Sequence, residues 1–509
     1  MKLGDLVSRL PEKSILGDPL VEVTGLAYHS REVKEGYLFA AMRGLRADGR
    51  NFIPEACARG ARSLLVEEPV GAKGVSQVVV AHVRGALARV ASAFYGDPSS
   101  FLTIVGITGT NGKTTTSFLL ESILTENGKN TGVLGTVNYR FQGHLYPAPT
   151  TTPESLDLQR MLAAMRESGV THVVLEVSSH ALDMQRVAAC DFDVALFTNL
   201  TRDHLDYHGS MEEYFQAKQL LFTEYLQDSR KRDRFSVINM DDPRGEELCR
   251  SARGMVLRYG VKRRTDIWPA EFSGDLDGIR AAVITPRGSF EITSPLIGLH
   301  NLYNILAAIG AAEALGISPP VIVRGVQRVS RVPGRLDRVP GGDGIRVFVD
   351  YAHTPDALER VLETLRTASP ARLLVIFGCG GDRDRGKRPT MGKAAGLGSD
   401  WAIITSDNPR TEDPLKIIAE VEMGIGETGR RKHTQESFAA AEGQGGYVVI
   451  PDRREAIACT IKATRPGDVV LIAGKGHEDY QILGIQKVHF DDREEALLAL
   501  QVKKEKSDR

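Results

Sequence analysis

Residues 102–116 read LTIVGITGTNGKTTT. An apolar, β-branched run from Leu102 to Thr108 breaks into Gly109, Thr110, Asn111 and Gly112, and then Lys113, Thr114 and Thr115 open a helix-period segment. Glycines let backbone N–H groups wrap a phosphate, and the helix N-terminus adds its dipole. Lys113 brings a mobile positive charge, and the Thr114 hydroxyl suits Mg²⁺. The standard phosphate loop has a glycine where Ile107 stands; here the glycines are Gly106, Gly109 and Gly112. The physics survives that change, and a nucleoside triphosphate site at the end of a parallel strand is expected.

Working outward, short apolar runs alternate with helix-period segments nearly throughout, which is the βαβ pattern of parallel sheets. The strand candidates are 102–108, 171–177, 194–200, 235–240, 372–378, 401–406 and 469–474. Turn chemistry in YGDPSSF (95–101) and RVPGRLDRVPGGDG (331–344) marks two joints. Three α/β domains are expected: 1–99, small; 100–332, carrying the phosphate loop; and 333–509, Rossmann-like. A net charge of -1 gives no basic excess for nucleic-acid binding. Five scattered cysteines with no CxxC pair argue against a disulfide framework or zinc site. No signal-peptide core and no run of 18 apolar residues occurs, so a cytoplasmic protein is expected, and a monomer acting on small molecules. The tail KKEKSDR reads as a frayed, solvated end.

Three further patches accompany the loop. Glu176 ends a strand in LEVSSHAL, where a Mg²⁺ ligand beside a phosphate loop belongs, although a glutamate there also caps helices. His204 follows the strand 194–200 in a polar loop, and Lys218 lies in the helix-period segment EEYFQAKQLLF. IGLHNLYNILAA (297–308) puts Asn301 and Asn304 on one helix face. With TGTNGKTT, AKQLLF and HNLYN, the chain resembles the Mur ligase family, ATP-dependent amide-forming enzymes of peptidoglycan synthesis. The resemblance runs from about Leu3 to Asp492.

The resemblance implies that Lys218 is carbamylated and joins Thr114, Glu176 and His204 around Mg²⁺. It also implies that Asn301 and Asn304 meet adenine, while Arg335 and Asp350 serve the phosphates and ribose of ATP. The stretch 28–61 resembles the uridine-nucleotide domain of the type that adds the third residue to UDP-N-acetylmuramoyl-L-alanyl-D-glutamate. By that likeness Ser30, Leu45, Arg46 and Ala47 meet UDP, and Thr151, Thr152, Ser178 and Arg186 meet the sugar-peptide. Met184 departs from the glutamine some members carry; that contact is lost or falls to Gln185.

By the same resemblance, SDNPRTEDP (406–414) is the stretch that sets which residue is added. Taken alone, Asp407, Asn408, Pro409 and Arg410 form a sound β-turn with a surface arginine. In this family, Asp-Asn-Pro-Arg marks members that add meso-2,6-diaminopimelate, whose extra carboxylate a guanidinium grips bidentately. Arg383, Gly474 and Glu478 complete the implied amino-acid site. The alternatives are a lysine-adding ligase of the same type and a folylpolyglutamate synthase-like ligase.

Overall fold

The protein is described by a computed structural model covering residues 1–44, 47–440 and 445–507. All seven apolar runs are strands: Thr103–Thr108, His172–Glu176, Val194–Phe197, Phe235–Asn239, Leu373–Phe377, Trp401–Ile404 and Val469–Ala473. They fall into two separate sheets.

The larger sheet has eight strands in the order Met255–Tyr259, Phe235–Asn239, Val194–Phe197, Thr103–Thr108, His172–Glu176, Thr131–Leu134, Tyr139–Phe141, His144–Tyr146. Its first six are parallel and the last two form an antiparallel hairpin edge. From Thr103–Thr108 the chain first winds to one side and later returns on the other. That switch leaves a crevice beyond the strand's carboxyl end, the place where such sheets take ligands. The helices Lys113–Glu126, Leu299–Ala314 and Pro319–Arg328 cover one face, burying Val105, Ile107, Ile123, Ile305 and Val326 together.

The second sheet runs Asp337–Val339, Arg346–Asp350, Val469–Ala473, Leu373–Phe377, Trp401–Ile404, Gly446–Val449, parallel except for its first strand. Asp350 ends one of its strands, and the glycines after Phe377, the 406–414 loop and Gly474 follow the carboxyl ends of others. A smaller five-stranded sheet lies within 14–79, with the helix Val83–Phe94 on its core.

Two elements depart from the sequence reading. Residues 268–294 form a three-stranded antiparallel sheet, Trp268–Asp275, Gly278–Thr285 and Gly288–Ser294, with no crossover helix. The helix Asp492–Ser507 runs into the tail expected to be frayed, and residues 508–509 lie outside the described residues. Lys503 holds that end down by donating to the Thr464 carbonyl at 2.6 Å, satisfying a carbonyl past the end of the helix Arg453–Ala463. The five cysteines are free thiols. Among the described residues, no helix is long and apolar enough to cross a membrane.

Candidate active site

The phosphate loop is pinned from the neighbouring strand end. Thr110 N–H donates to the Asn199 carbonyl (2.8 Å), Asn111 N–H to Asn199 Oδ1 (2.9 Å), and Thr198 Oγ1 to the Asn111 carbonyl (2.6 Å). Gly109 and Gly112 have φ of 146° and 88°, in the region that favours glycine. Lys113 folds back over the loop, donating to the Gly109 and Thr110 carbonyls at 2.7 and 2.9 Å. Burial lowers its pKa, against the pull of Glu176 and Asp203. Lys113, Thr114 and Thr115 form the first turn of the helix, so their N–H groups have no intrahelical acceptor.

Glu176 is 1% exposed and is the convergence point of the central crevice. Its carboxylate accepts from Thr114 Oγ1 (3.0 Å), Ser117 Oγ (3.3 Å) and Thr136 Oγ1 (2.9 Å). Glu176 also touches the sugar-peptide candidates, since Thr152 Oγ1 donates to its backbone carbonyl at 2.9 Å. Thr152 Oγ1 accepts from Ser178 N–H, Thr151 Oγ1 lies 3.1 Å from Thr136 Oγ1, and Arg186 donates to the Thr152 carbonyl and pairs with Glu154. So Thr151, Thr152, Ser178 and Arg186 form one patch against Glu176. Met184 lies behind Arg186, its sulfur 3.5 Å from Nη2. Gln185 turns to the helix Val83–Phe94, where a Cβ on Gly85 would overlap its amide.

Lys218 is 2% exposed, not a solvated helix lysine. Its ammonium lies over the Tyr214 ring at 4.4 Å, with the charge of Asp203 favouring its protonated form. Burial, then the charge of Lys113, holds its pKa well below the usual value. Tyr214 carries the loop contact, with its hydroxyl 3.2 Å from Thr110 Oγ1. His204 has φ 53° and packs edge-on to His180 at 4.8 Å, with its pKa lowered by burial.

Whether these groups suit Mg²⁺ is a matter of donor chemistry. Thr114 and Glu176 are hard oxygen donors already converged, which fits an ion that keeps several of its waters. Lys218 as an ammonium does not fit; as a carbamate it would supply an anionic oxygen. Among the described residues no group of three or more His, Cys, Asp or Glu is clustered for a metal ion.

Asn301 and Asn304 are both buried. Asn304 Nδ2 donates to Asn301 Oδ1 (3.0 Å) and Asn301 Nδ2 to the Ile297 carbonyl (2.8 Å), a ladder that leaves Asn304 Oδ1 against Gly112. Asn301 and Arg335 line one cavity of about 220 Å³ with Ile297, Leu336 and Phe348, between the start of the helix Leu299–Ala314 and the second sheet. Asp350 accepts from Leu336 N–H (2.6 Å) and Ala352 N–H (2.8 Å), while Arg335 lies over the Tyr351 ring.

The 406–414 loop rests on a buried cation that sequence reading passed over. Lys475 has no exposed side-chain surface and donates to Asp407 Oδ1 (3.2 Å) and Asn408 Oδ1 (3.1 Å), with Glu478 at 3.5 Å. Asn408 Nδ2 donates to Glu478 Oε2 at 2.9 Å, so the amide orientation is fixed from both ends. Burial, then the charge of Asp407, raises the Glu478 pKa. Arg410 has φ 51°, donates to the Gly381 carbonyl at 2.7 Å, and exchanges backbone bonds with Ile482 and Gly484 of the hairpin Tyr480–His489. Arg383 is exposed nearby, and Gly474 turns at φ 114° beside Asp407.

In the first sheet's region, Ser30 Oγ donates to Glu55 at 2.7 Å and Ala47 is exposed. Leu45 and Arg46 lie outside the described residues. Thr136, Ser117, Tyr214 and Lys475 are the groups that sequence reading missed. The only signal was position: Lys475 sits between two glycines at a strand end, inside a stretch already singled out.

Fold and site define a three-domain α/β protein with a phosphate loop at the switch point of its central sheet. The chain belongs to the Mur ligase family. Family models described as Mur ligase middle domain, Mur ligase glutamate ligase domain and Mur ligase family catalytic domain match residues 107–312, 334–476 and 22–95. The chain is 48% identical over 98% of both chains to a UDP-N-acetylmuramoyl-L-alanyl-D-glutamate–2,6-diaminopimelate ligase of Geobacter metallireducens. It is 44% identical to the ligase of the same name from Geobacillus thermodenitrificans, over 98% of this chain and 99% of that one. A solved structure with that ligase name superposes with TM-score 0.70 at 34% identity, covering 99% of each chain. The MurF ligase from Thermotoga maritima in complex with ADP shares the fold: TM-score 0.61, 20% identity, 97% of this chain and 100% of that one.

Proposed function

We propose that this chain is a cytoplasmic, ATP-dependent ligase of peptidoglycan synthesis. It joins meso-2,6-diaminopimelate to the D-glutamate γ-carboxylate of UDP-N-acetylmuramoyl-L-alanyl-D-glutamate. Residues 1–99 hold the UDP end, 100–332 the ATP, and 333–509 the amino acid. The observation that carries the choice of amino acid is Arg410 beside the Asp407–Lys475–Glu478 cluster, in a chain whose 48%-identical relative is named for diaminopimelate.

A carboxylate is a poor electrophile, so its oxygen first takes the γ-phosphoryl group of ATP, releasing ADP and leaving an acyl phosphate. The incoming amine attacks the acyl carbon, the tetrahedral intermediate expels phosphate, and the nitrogen loses its proton. The chain's share is placement and charge. Lys113 and the open N–H groups of Lys113–Thr115 neutralise the phosphates at the helix N-terminus. Asn301, Asn304, Arg335 and Asp350 orient the nucleoside between two domains. Thr151, Thr152, Ser178 and Arg186 hold the sugar-peptide so that its carboxylate meets the γ-phosphate in front of Glu176. When bound, Mg²⁺ on Thr114, Glu176, His204 and carbamylated Lys218 would offset charge on the transferring phosphate.

At the other end, Arg410 and Arg383 pair with the distal carboxylate of the amino acid, and Glu478 and Asp407 with its ammonium. Lysine would leave Arg410 with the Gly381 carbonyl but no carboxylate partner, at a cost of about 2–5 kcal/mol. The test is phosphate release with ATP, Mg²⁺ and the UDP-dipeptide. Release that requires diaminopimelate and the UDP-dipeptide together supports the reading; release with a pteroyl-glutamate acceptor instead would sink it.

A further inference from the structure

Arg388 is a cation in an unfavourable place. It lies in the first turn of the helix Lys387–Gly398, where the dipole disfavours positive charge, and its side chain has no exposed surface. Two carboxylates compensate. Its Nη2 and Nη1 donate to the two oxygens of Glu412 at 2.8 and 3.0 Å, and Nη1 also to Glu420 at 2.8 Å. Nη2 adds the Gly380 carbonyl at 3.3 Å.

Glu412 passes this clamp on. Its Oε1 accepts the Asp382 N–H at 2.6 Å, so one carboxylate ties the 380–385 loop to the 407–412 loop. The two loops are in tight register there. Gly381 N–H donates to the Asn408 carbonyl at 2.9 Å, and a Cβ on Gly381 would overlap the Pro409 carbonyl. One loop carries Arg383 and the other Arg410.

We propose that Arg388 is a positioning residue for amino-acid selection. By clamping Glu412 it fixes the separation of the two arginine-bearing loops, and so the fork into which the distal carboxylate of the amino acid fits. The inference rests on the diaminopimelate reading above. A buried ion pair contributes little to net stability compared with apolar packing, so its value here lies in geometry. Glu412 keeps 15% of its side chain exposed and a second partner in Arg385 at 2.9 Å, so losing Arg388 does not strand a buried charge.

The test is steady-state kinetics of Arg388→Met, Arg388→Lys and the milder Glu412→Gln, with all three substrates varied. We expect KM for diaminopimelate to rise about tenfold or more in each, with KM for ATP and the UDP-dipeptide within about twofold. The preference for diaminopimelate over L-lysine falls in step. Arg388→Lys fails to rescue, because an ammonium cannot make the bidentate pair. If Arg388→Met does not fold, Glu412→Gln carries the test alone. All three KM values rising together with a lower Tm would overturn the inference, as would unchanged kinetics. A wild-type chain indifferent to diaminopimelate overturns the functional reading itself, whereas a selective wild type with unaffected variants sinks only the role of Arg388.

Discussion

Asn304 holds its amide oxygen against the backbone of Gly112, where a Cβ would overlap it, so the helix Leu299–Ala314 directly buttresses the phosphate loop. Gly112 also has φ 88°, which an L side chain adopts at a cost. Gly112→Ala is therefore expected to lose about 1–3 kcal/mol of stability and to raise KM for ATP about tenfold or more. Denaturant melts and ATP titrations check both arms; an unaltered KM for ATP would remove Asn304 from the nucleotide site.

Lys113 offers a cleaner separation of binding from chemistry. Its ammonium now rests on the Gly109 and Thr110 carbonyls, free to swing to a phosphate. Lys113→Met is expected to lower kcat by about 10²–10⁴. Binding of the UDP-dipeptide, followed by calorimetry without ATP, is expected to stay within about twofold, because Lys113 lies outside that patch.

Much of this was legible in the sequence, for identifiable reasons. Gly109 and Gly112 are required by positive φ and Lys113 opens the helix behind them, so their order in the sequence already pointed to the loop between strand and helix that the structure shows. Thr136 could not be read that way. It sits in a loop with no acid or base beside it, and meets Glu176 only because the strands Thr131–Leu134 and His172–Glu176 lie side by side. Lys475 is one lysine among many until Val469–Ala473 ends beneath Asp407 and Asn408. In the sheet 268–294 the apolar run 281–284 was passed over, and the strand before it, Trp268–Asp275, gives little signal because it is exposed from Ala270 onward.

Glu478 gives a pH dependence with a definite sign. Burial and Asp407 raise its pKa, so it takes up a proton above the usual carboxylate range of about 4.3. Protonated, it no longer pairs with an ammonium, so KM for diaminopimelate is expected to climb as pH falls, earlier than an ordinary glutamate would dictate. The stability linkage runs the other way. Between the unfolded and the raised native pKa the folded chain holds the extra proton, so stability is lost as pH rises through that window. Glu478→Gln is expected to raise Tm at neutral pH, weaken amino-acid binding and flatten the pH profile of that KM. A steep profile surviving in Glu478→Gln would place the titrating group elsewhere.

The choice of amino acid turns on whether Arg410 meets the distal carboxylate. Its most direct test is the ratio of kcat/KM for meso-diaminopimelate and L-lysine, measured in the wild-type chain and in Arg410→Ala. We expect the wild type to favour diaminopimelate by at least about 30-fold, the lower end of a 2–5 kcal/mol penalty, and Arg410→Ala to bring the ratio toward one. A wild-type ratio near one, or a ratio that Arg410→Ala leaves unchanged, would contradict it.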